Sequence, residues 1–341
     1  MKRLLLGLVL STITACGSKP DAAGGQAAVS LNASGSTFQK GFQEVAIVSF
    51  TKANPGVRVT YGGGGSGKGR QDLADKVVDF AGADSPFKDA ELATAKGGDV
   101  LYFPILLGPI TISFNLDGVT TLRLSPETLA KIFQRDITTW NDPAIVADNP
   151  DAKLPAADII VAHRSDGSGT TDNFTKYLDK AAAGVWKLKS GSTVEWPAAT
   201  QAGSGNGGVA QIVKTTRNAI GYVDLSDAKA SGLTYARIKN RAGTYVEPTA
   251  ASASAAGEGI EVKDNLLFSA LDAAGDAAYP ITYQSWVIVY AKQTAKGAAL
   301  KRYLEHLLTT AQGDLAALDF APLPSSLQTK AIAQLAKLQI Q

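Results

Sequence analysis

The 341-residue chain has one cysteine and two histidines. A lone cysteine forms no internal disulfide, and this supply falls short of the usual Cys/His zinc site. Lys plus Arg (33) nearly equals Asp plus Glu (31), for a net charge of +2. The basic excess of a dedicated nucleic-acid binder is therefore missing. Beyond the N-terminal region no segment offers about 18 uninterrupted apolar residues, so none is expected to span a membrane. What is present is core-forming material: 45% hydrophobic against 19% charged residues excludes general disorder. The length fits about two domains of roughly 100–200 residues. Glycine is plentiful, at 34 residues, and clustered.

Lys2 and Arg3 precede an apolar stretch, Leu4 to Leu10, and Ile13-Thr14-Ala15-Cys16 follows. A charged start and an apolar run too short for a permanent span read as an export signal over 1–15. The only cysteine sits at its end, in a run that resembles a bacterial lipobox. Cys16 is thus the expected lipidation site and the first mature residue. Residues 16–28 are small, polar and Gly-rich, as a flexible tether should be. The expectation is a globular body on a lipid leash outside the cytoplasm, where ATP and nicotinamide cofactors are scarce.

The pattern then alternates strand and helix. Val29 to Ala33 reads as a strand. Phe38, Phe42, Val45, Ala46 and Phe50 recur at helical spacing. Val57 to Tyr61 alternates as a strand, a helix is expected from about Ser66 to Lys76, and a strand over Val77 to Ala83. Such alternation predicts an α/β sheet with parallel strands. A second unit has a helix start at Ser125-Pro126, a strand Ile159 to Ala162 and a helix from about Ser168 to Leu178. Residues 249–260 (TAASASAAGEGI) read as a low-complexity surface loop. The last part is helical from about Gly297 to Leu308 and again from Ser325. Two long β-rich stretches, 100–115 and 279–290, carry prolines and look like crossings between lobes. The expected division is 29–105 with 283–341 as a discontinuous first lobe and 106–282 as the second.

Three segments place glycine and hydroxyl residues at the mouth of a helix: Gly35-Ser36-Thr37-Phe38, Gly65-Ser66-Gly67-Lys68-Gly69 and Asp166-Gly167-Ser168-Gly169-Thr170. A helix N-terminus offers unpaired N–H groups and a partial positive charge, so it favours an anion. One such terminus is ordinarily a cap; three in one chain make a convergent oxyanion site credible. Arg164 precedes the third segment, and a guanidinium fits an oxyanion in two-pronged fashion. Asp166 is placed to orient it. Asp84, at the end of a predicted strand, makes sense beside an anion only if that anion carries a proton.

Other motifs fail on context. Gly62 to Gly67 imitates a dinucleotide fingerprint, with Asp84 about twenty residues on, but export argues against that cofactor. Gly62 to Lys68 imitates a P-loop, yet Gly69 stands where magnesium needs a hydroxyl. Gly167-Ser168-Gly169 is not a hydrolase elbow. His163 and His306 are the only histidine bases, and His163 points to the opposite strand face from Arg164.

In order along the chain stand GSTF (35–38), GGGSGKG ending at 69, VDFAGAD (78–84), FPILLGPITISFN (103–115), SPETLAKIF, TTWNDPAI, RSDGSGTTDNFTKYL (164–178), GSTVEWP (191–197), GNGGVAQIV with AIGYVD, and YPIT (279–282). Over nearly all of the mature chain this series resembles the phosphate-binding proteins of bacterial ABC-type phosphate uptake systems. The resemblance implies a two-lobed α/β fold of the periplasmic binding protein type (type II-like), hinged on two crossing strands. It implies phosphate ligands at Thr37, Phe38 (main-chain N–H), Ser66, Asp84, Arg164, Ser168, Gly169 (main-chain N–H) and Thr170, with Asp166 supporting the arginine. No cofactor, metal or catalysis is implied; the partners are inorganic phosphate and the membrane permease, and the protein would act as a monomer. His163 stands where some relatives have a second arginine, at a position that is not a ligand. Another oxyanion such as sulfate or molybdate, an exported phosphatase, and a structural surface lipoprotein remain the alternatives.

Overall fold

The computed structural model describes residues 28–340, so the export signal, Cys16 and nearly all of the tether lie outside the described residues. Strand β1 (Val29–Gly35) leads through helix α1 (Lys40–Ala53) to β2 (Val57–Gly62), which lies parallel to it. In β2, Val57 and Val59 are buried while Arg58 and Thr60 face solvent, the period of two that a half-covered strand requires. In α1, Phe42, Ala46 and Phe50 recur every fourth residue and face the core. Helix α2 (Ser66–Ala74) and β3 (Phe80–Ala83) follow, with β3 parallel to β1 on its other side. The helix and strand expected to reach 76 and begin at 77 are shorter: Lys76 takes a left-handed φ of 61° and Val77 is 67% exposed.

After α3 (Asp89–Ala93) comes the 15-residue β4 (Val100–Phe114). The second part adds β5 (Arg123–Leu124), α4 (Pro126–Phe133), α5 (Pro143–Asp148), β6 (Ile160–Arg164), α6 (Gly169–Ala181), β7 (Thr200–Gly203), α7 (Gly205–Thr215), β8 (Ala219–Asp224) and α8 (Leu225–Ala230). Short strands β9 (Thr234–Tyr235), β10 (Arg237–Lys239) and β11 (Tyr245–Val246) precede α9 (Ala250–Gly257). The chain returns along β12 (Thr282–Tyr290), then β13 (Lys292–Gln293), α10 (Gly297–Leu308), α11 (Ser325–Gln334) and β14 (Gln339–Ile340).

The main sheet runs β2-β1-β3-β12-β4-β8-β6-β7. Its ends are parallel, but β12 is antiparallel to β3 and β4, and β4 to β8, so the sheet is mixed rather than all parallel. The reason is that β4 and β12 are the two crossings and run in opposite directions. Val100 to Pro109 of β4 pair with β12, and Ile110 to Phe114 pair with β8. One strand therefore belongs to both lobes. Pro104 lies opposite Trp286 at a register shift, a place where a missing N–H is tolerated.

Residues 249–260 are not a loop. Thr249 caps α9 by accepting from the Ser252 N–H at 3.0 Å, and Ser252, Ala253, Ala256 and Gly257 are buried. Alanine favours helix, and small side chains let this helix lie close on β4: a Cβ at Gly257 would meet Leu107 at 3.2 Å.

Candidate functional site

The C-terminal ends of β1, β3, β6 and β8 converge, each delivering a polar turn or helix start. β1 and β3 approach so closely that a Cβ at Gly35 would sit 2.0 Å from the Gly82 carbonyl oxygen, at a φ of +138°. Only glycine fits there. The next residues, Ser36 to Phe38, are thereby aimed at the end of β3, where Asp84 lies 2% exposed.

Asp84 is held by three hydroxyls. Ser36 and Ser66 donate to Oδ2 at 2.7 and 3.1 Å, and Ser285 of β12 donates to Oδ1 at 2.5 Å. The direction of the last bond is enforced by a relay. Tyr303 donates to Gln43 Oε1 at 2.6 Å, Gln43 Nε2 to Gln39 Oε1 at 2.8 Å, and Gln39 Nε2 to Ser285 Oγ at 2.7 Å. Ser285 accepts from Gln39, so its proton goes to Asp84. Burial pushes the Asp84 carboxyl up to about 6, while Ser285, Ser36, Ser66 and the Arg164 charge pull it down. At neutral pH it is mainly a carboxylate, which only accepts hydrogen bonds.

Arg164 ends β6 and is 4% exposed. Its Nε donates to Asp166 Oδ1 at 2.8 Å and its Nη2 to Asp166 Oδ2; its Nη1 donates to Asn206 Oδ1 at 2.9 Å and, weakly, to Thr170 Oγ1 at 3.4 Å. Burial disfavours the charge, but Asp166 outweighs it and raises the guanidinium pKa; Arg164 in turn holds Asp166 below the ordinary carboxylate range, against the opposing effect of burial. Two residues apart at a strand end, this pair is a local structure.

Ser168 caps α6, accepting from the Thr171 N–H at 3.0 Å, and Thr37 Oγ1 accepts from the Asn206 N–H at 3.3 Å. Both hydroxyls are thus used as acceptors and keep a proton to give. The Phe38 N–H is turned to Ser36 Oγ at 3.1 Å. The first-turn N–H groups of α6, at Gly169 and Thr170, have no intrahelical acceptor.

The lobes touch across these residues. The Gly67 N–H donates to the Gly167 carbonyl at 2.8 Å, and Asn173 Nδ2 bridges the Asp84 and Gly169 carbonyls at 2.7 and 2.9 Å. Tyr283 of β12 stacks on Phe38 with centroids 4.0 Å apart. Thr37, Phe38, Ser66 and Asp84 from one lobe and Arg164, Ser168, Gly169 and Thr170 from the other thus surround one place, with Asp166 behind the arginine. His163 points away: it stacks on Trp196 and bonds Thr200 at 3.1 Å, and burial lowers its pKa. His306 pairs with Ser49 at 2.8 Å.

Several residues of this site escape a reading of the sequence. Ser36 lies inside the GSTF run and Asn206 inside GNGGVAQIV, where each looks like an ordinary helix-start residue. Gln39, Asn173, Tyr283 and Ser285 give no local signal; Ser285 meets Asp84 across 201 positions. Among the described residues no group of three or more His, Cys, Asp or Glu could hold a metal ion.

Two lobes joined by crossing strands, with polar helix starts from both facing one another, define a binding protein of the periplasmic type. Residues 21–310 match the model of the PBP superfamily domain. The phosphate-binding protein PstS 3 of Mycobacterium leprae is 35% identical over 329 residues, covering 92% of this chain and 86% of its own. PstS of Pasteurella multocida is 37% identical over 295 residues, covering 84% of each chain. The structure of the periplasmic phosphate-binding protein PfluDING with phosphate superposes with a TM-score of 0.74 at 22% identity, covering 90% of this chain and 94% of that one, which shows the shared fold. The chain belongs to the PBP superfamily and, within it, to the phosphate-binding proteins of ABC-type uptake systems.

Proposed function

We propose that this protein captures inorganic phosphate between its lobes and delivers it to an ABC-type permease, making and breaking no bond. The observation that carries this reading is the pairing of opposite hydrogen-bond roles at one place. Thr37, Ser168, Arg164 and the start of α6 have protons to give, whereas the Asp84 carboxylate only accepts. Phosphate near neutral pH presents both bare oxygens and a P–OH. Sulfate has no proton, so it would meet Asp84 as an unmatched like charge in a poorly hydrated site, a penalty of several kcal/mol in kind. On binding, the Ser66 hydroxyl would turn from Asp84 to the anion and free a lone pair for the P–OH. The main-chain N–H of Phe38, released from Ser36 Oγ, the main-chain N–H of Gly169 and the Thr170 hydroxyl join the ligand set, with Asp166 supporting Arg164.

The reading includes lobe boundaries at 105/106 and 282/283, so that β4 and β12 form the hinge. It also includes export, lipid attachment at Cys16 and action as a monomer at the cell envelope. Among the described residues no helix is long and apolar enough to cross a membrane, and attachment would rest on the N-terminal cysteine.

Calorimetric titration of phosphate-stripped protein tests the function. Saturable heat with phosphate and little with sulfate is expected; no heat with phosphate at micromolar protein would overturn the reading.

A further inference from the structure

Asn206 occupies the second position of α7 and is fully buried. Its Oδ1 accepts from Arg164 Nη1 at 2.9 Å. A guanidinium has donors only, so the amide must present its oxygen there and the placement of its NH2 follows. That Nδ2 has no hydrogen-bond partner, although it is buried. Leaving a buried amide N–H unmatched is costly, and such a group in a native site calls for an absent partner. The Asp166 carboxylate beside it is taken: it binds Arg164 through both oxygens, and its Oδ1 also accepts from the Gly205 N–H at 3.0 Å. The main-chain N–H of Asn206 meanwhile reaches across the cleft to Thr37 Oγ1. Asn206 therefore stands between an arginine of one lobe and a threonine of the other, beside the space where the anion is expected.

We propose that Asn206 is a further anion-binding residue: Nδ2 donates to an oxygen of the bound phosphate while Oδ1 holds Arg164. This rests on the phosphate reading above. The residue then does two things at once. It fixes the guanidinium from the side opposite Asp166, and it adds a neutral donor that balances no charge. A site rich in neutral donors binds a divalent anion without accumulating cations, and so without losing the discrimination that Asp84 supplies.

The test is titration with inorganic phosphate of the parent, N206A, N206D, R164K and the N206A/R164K double variant, with thermal unfolding of each phosphate-free protein as a control. N206A is expected to weaken binding at least tenfold. N206D replaces a donor by an acceptor facing an anion; it should weaken binding further and regain affinity as pH is lowered. The double variant should bind more weakly than R164K, but by less than the product of the two single losses, because part of the N206A loss runs through Arg164. N206A within about twofold of the parent would overturn the proposal. So would a double variant no weaker than R164K, because Asn206 would then act only through Arg164. Should N206A fail to fold, the isosteric N206D carries the test, and an affinity and pH profile equal to those of the parent overturn the proposal. A parent that shows no phosphate binding would instead remove the phosphate reading itself.

Discussion

Ser285 on the returning strand donates to Asp84 Oδ1 at 2.5 Å from a position 201 residues later in the chain. Because Gln39 donates to the same hydroxyl, Ser285 has one proton and one place to send it. The bond works against burial to favour the ionised Asp84, the form that only accepts hydrogen bonds. It also ties Asp84 to the returning strand β12.

Asp84→Asn should therefore change selectivity more than affinity. The amide can still accept a P–OH through its oxygen, but its NH2 can now donate to sulfate. The phosphate-to-sulfate affinity ratio is expected to fall at least about tenfold, which is roughly 1.4 kcal/mol. Competition titrations of parent and variant measure it; an unchanged ratio would place selectivity elsewhere.

The same carboxyl predicts a pH dependence. Its folded pKa of about 6 lies above the ordinary aspartate value because of burial. A raised pKa means that the stability it contributes is complete below the ordinary value near 4 and is lost as pH rises through about 6. The phosphate-free parent should lose stability relative to Asp84→Asn between about pH 4 and 7, by on the order of 3 kcal/mol. Urea unfolding at both ends of that window tests the sign. Below about pH 6 a protonated Asp84 can also donate, so sulfate should compete better there.

At Gly169 the start of α6 lies close against Asp84 and Ser66. A Cβ there would lie 2.3 Å from Ser66 Oγ and 2.6 Å from Asp84 Oδ2. Gly169→Ala should keep or improve the stability of α6, since alanine favours helix, yet prevent closure. Phosphate affinity is expected to fall at least about a hundredfold, because contacts from both lobes exist together only when the lobes close. Small-angle scattering should show no phosphate-induced decrease in radius of gyration in the variant. Parent-like affinity would show that closure tolerates the methyl group.

Cys16→Ser should abolish the proposed lipid attachment, since it removes the thiol. The variant is expected to remain uncleaved or to leave the membrane fraction. A normally processed N-terminus with unchanged membrane partition would show that Cys16 carries no anchor.

Much of this protein is legible before folding is considered, because the relevant signals are local. The period of two in Val57 and Val59 and the fourfold spacing of Phe42, Ala46 and Phe50 specify elements within a few residues. Ser168 caps the turn that follows it, and Asp166 reaches Arg164 two positions away. Helix starts that favour anions are likewise written in consecutive residues. The small-residue run at 249–260 misled because composition does not say whether small side chains face water or allow close packing; contact with β4 decides that. The mixed sheet arose from the opposite directions of β4 and β12, which no local pattern encodes. Only the tertiary structure brought Ser285 to Asp84, turned Gln39 and Gln43 into a directional relay, and left the side-chain NH2 of Asn206 buried without a partner. Hydrogen-bond roles in a closed site depend on what lies across the cleft, and across the cleft means far along the chain.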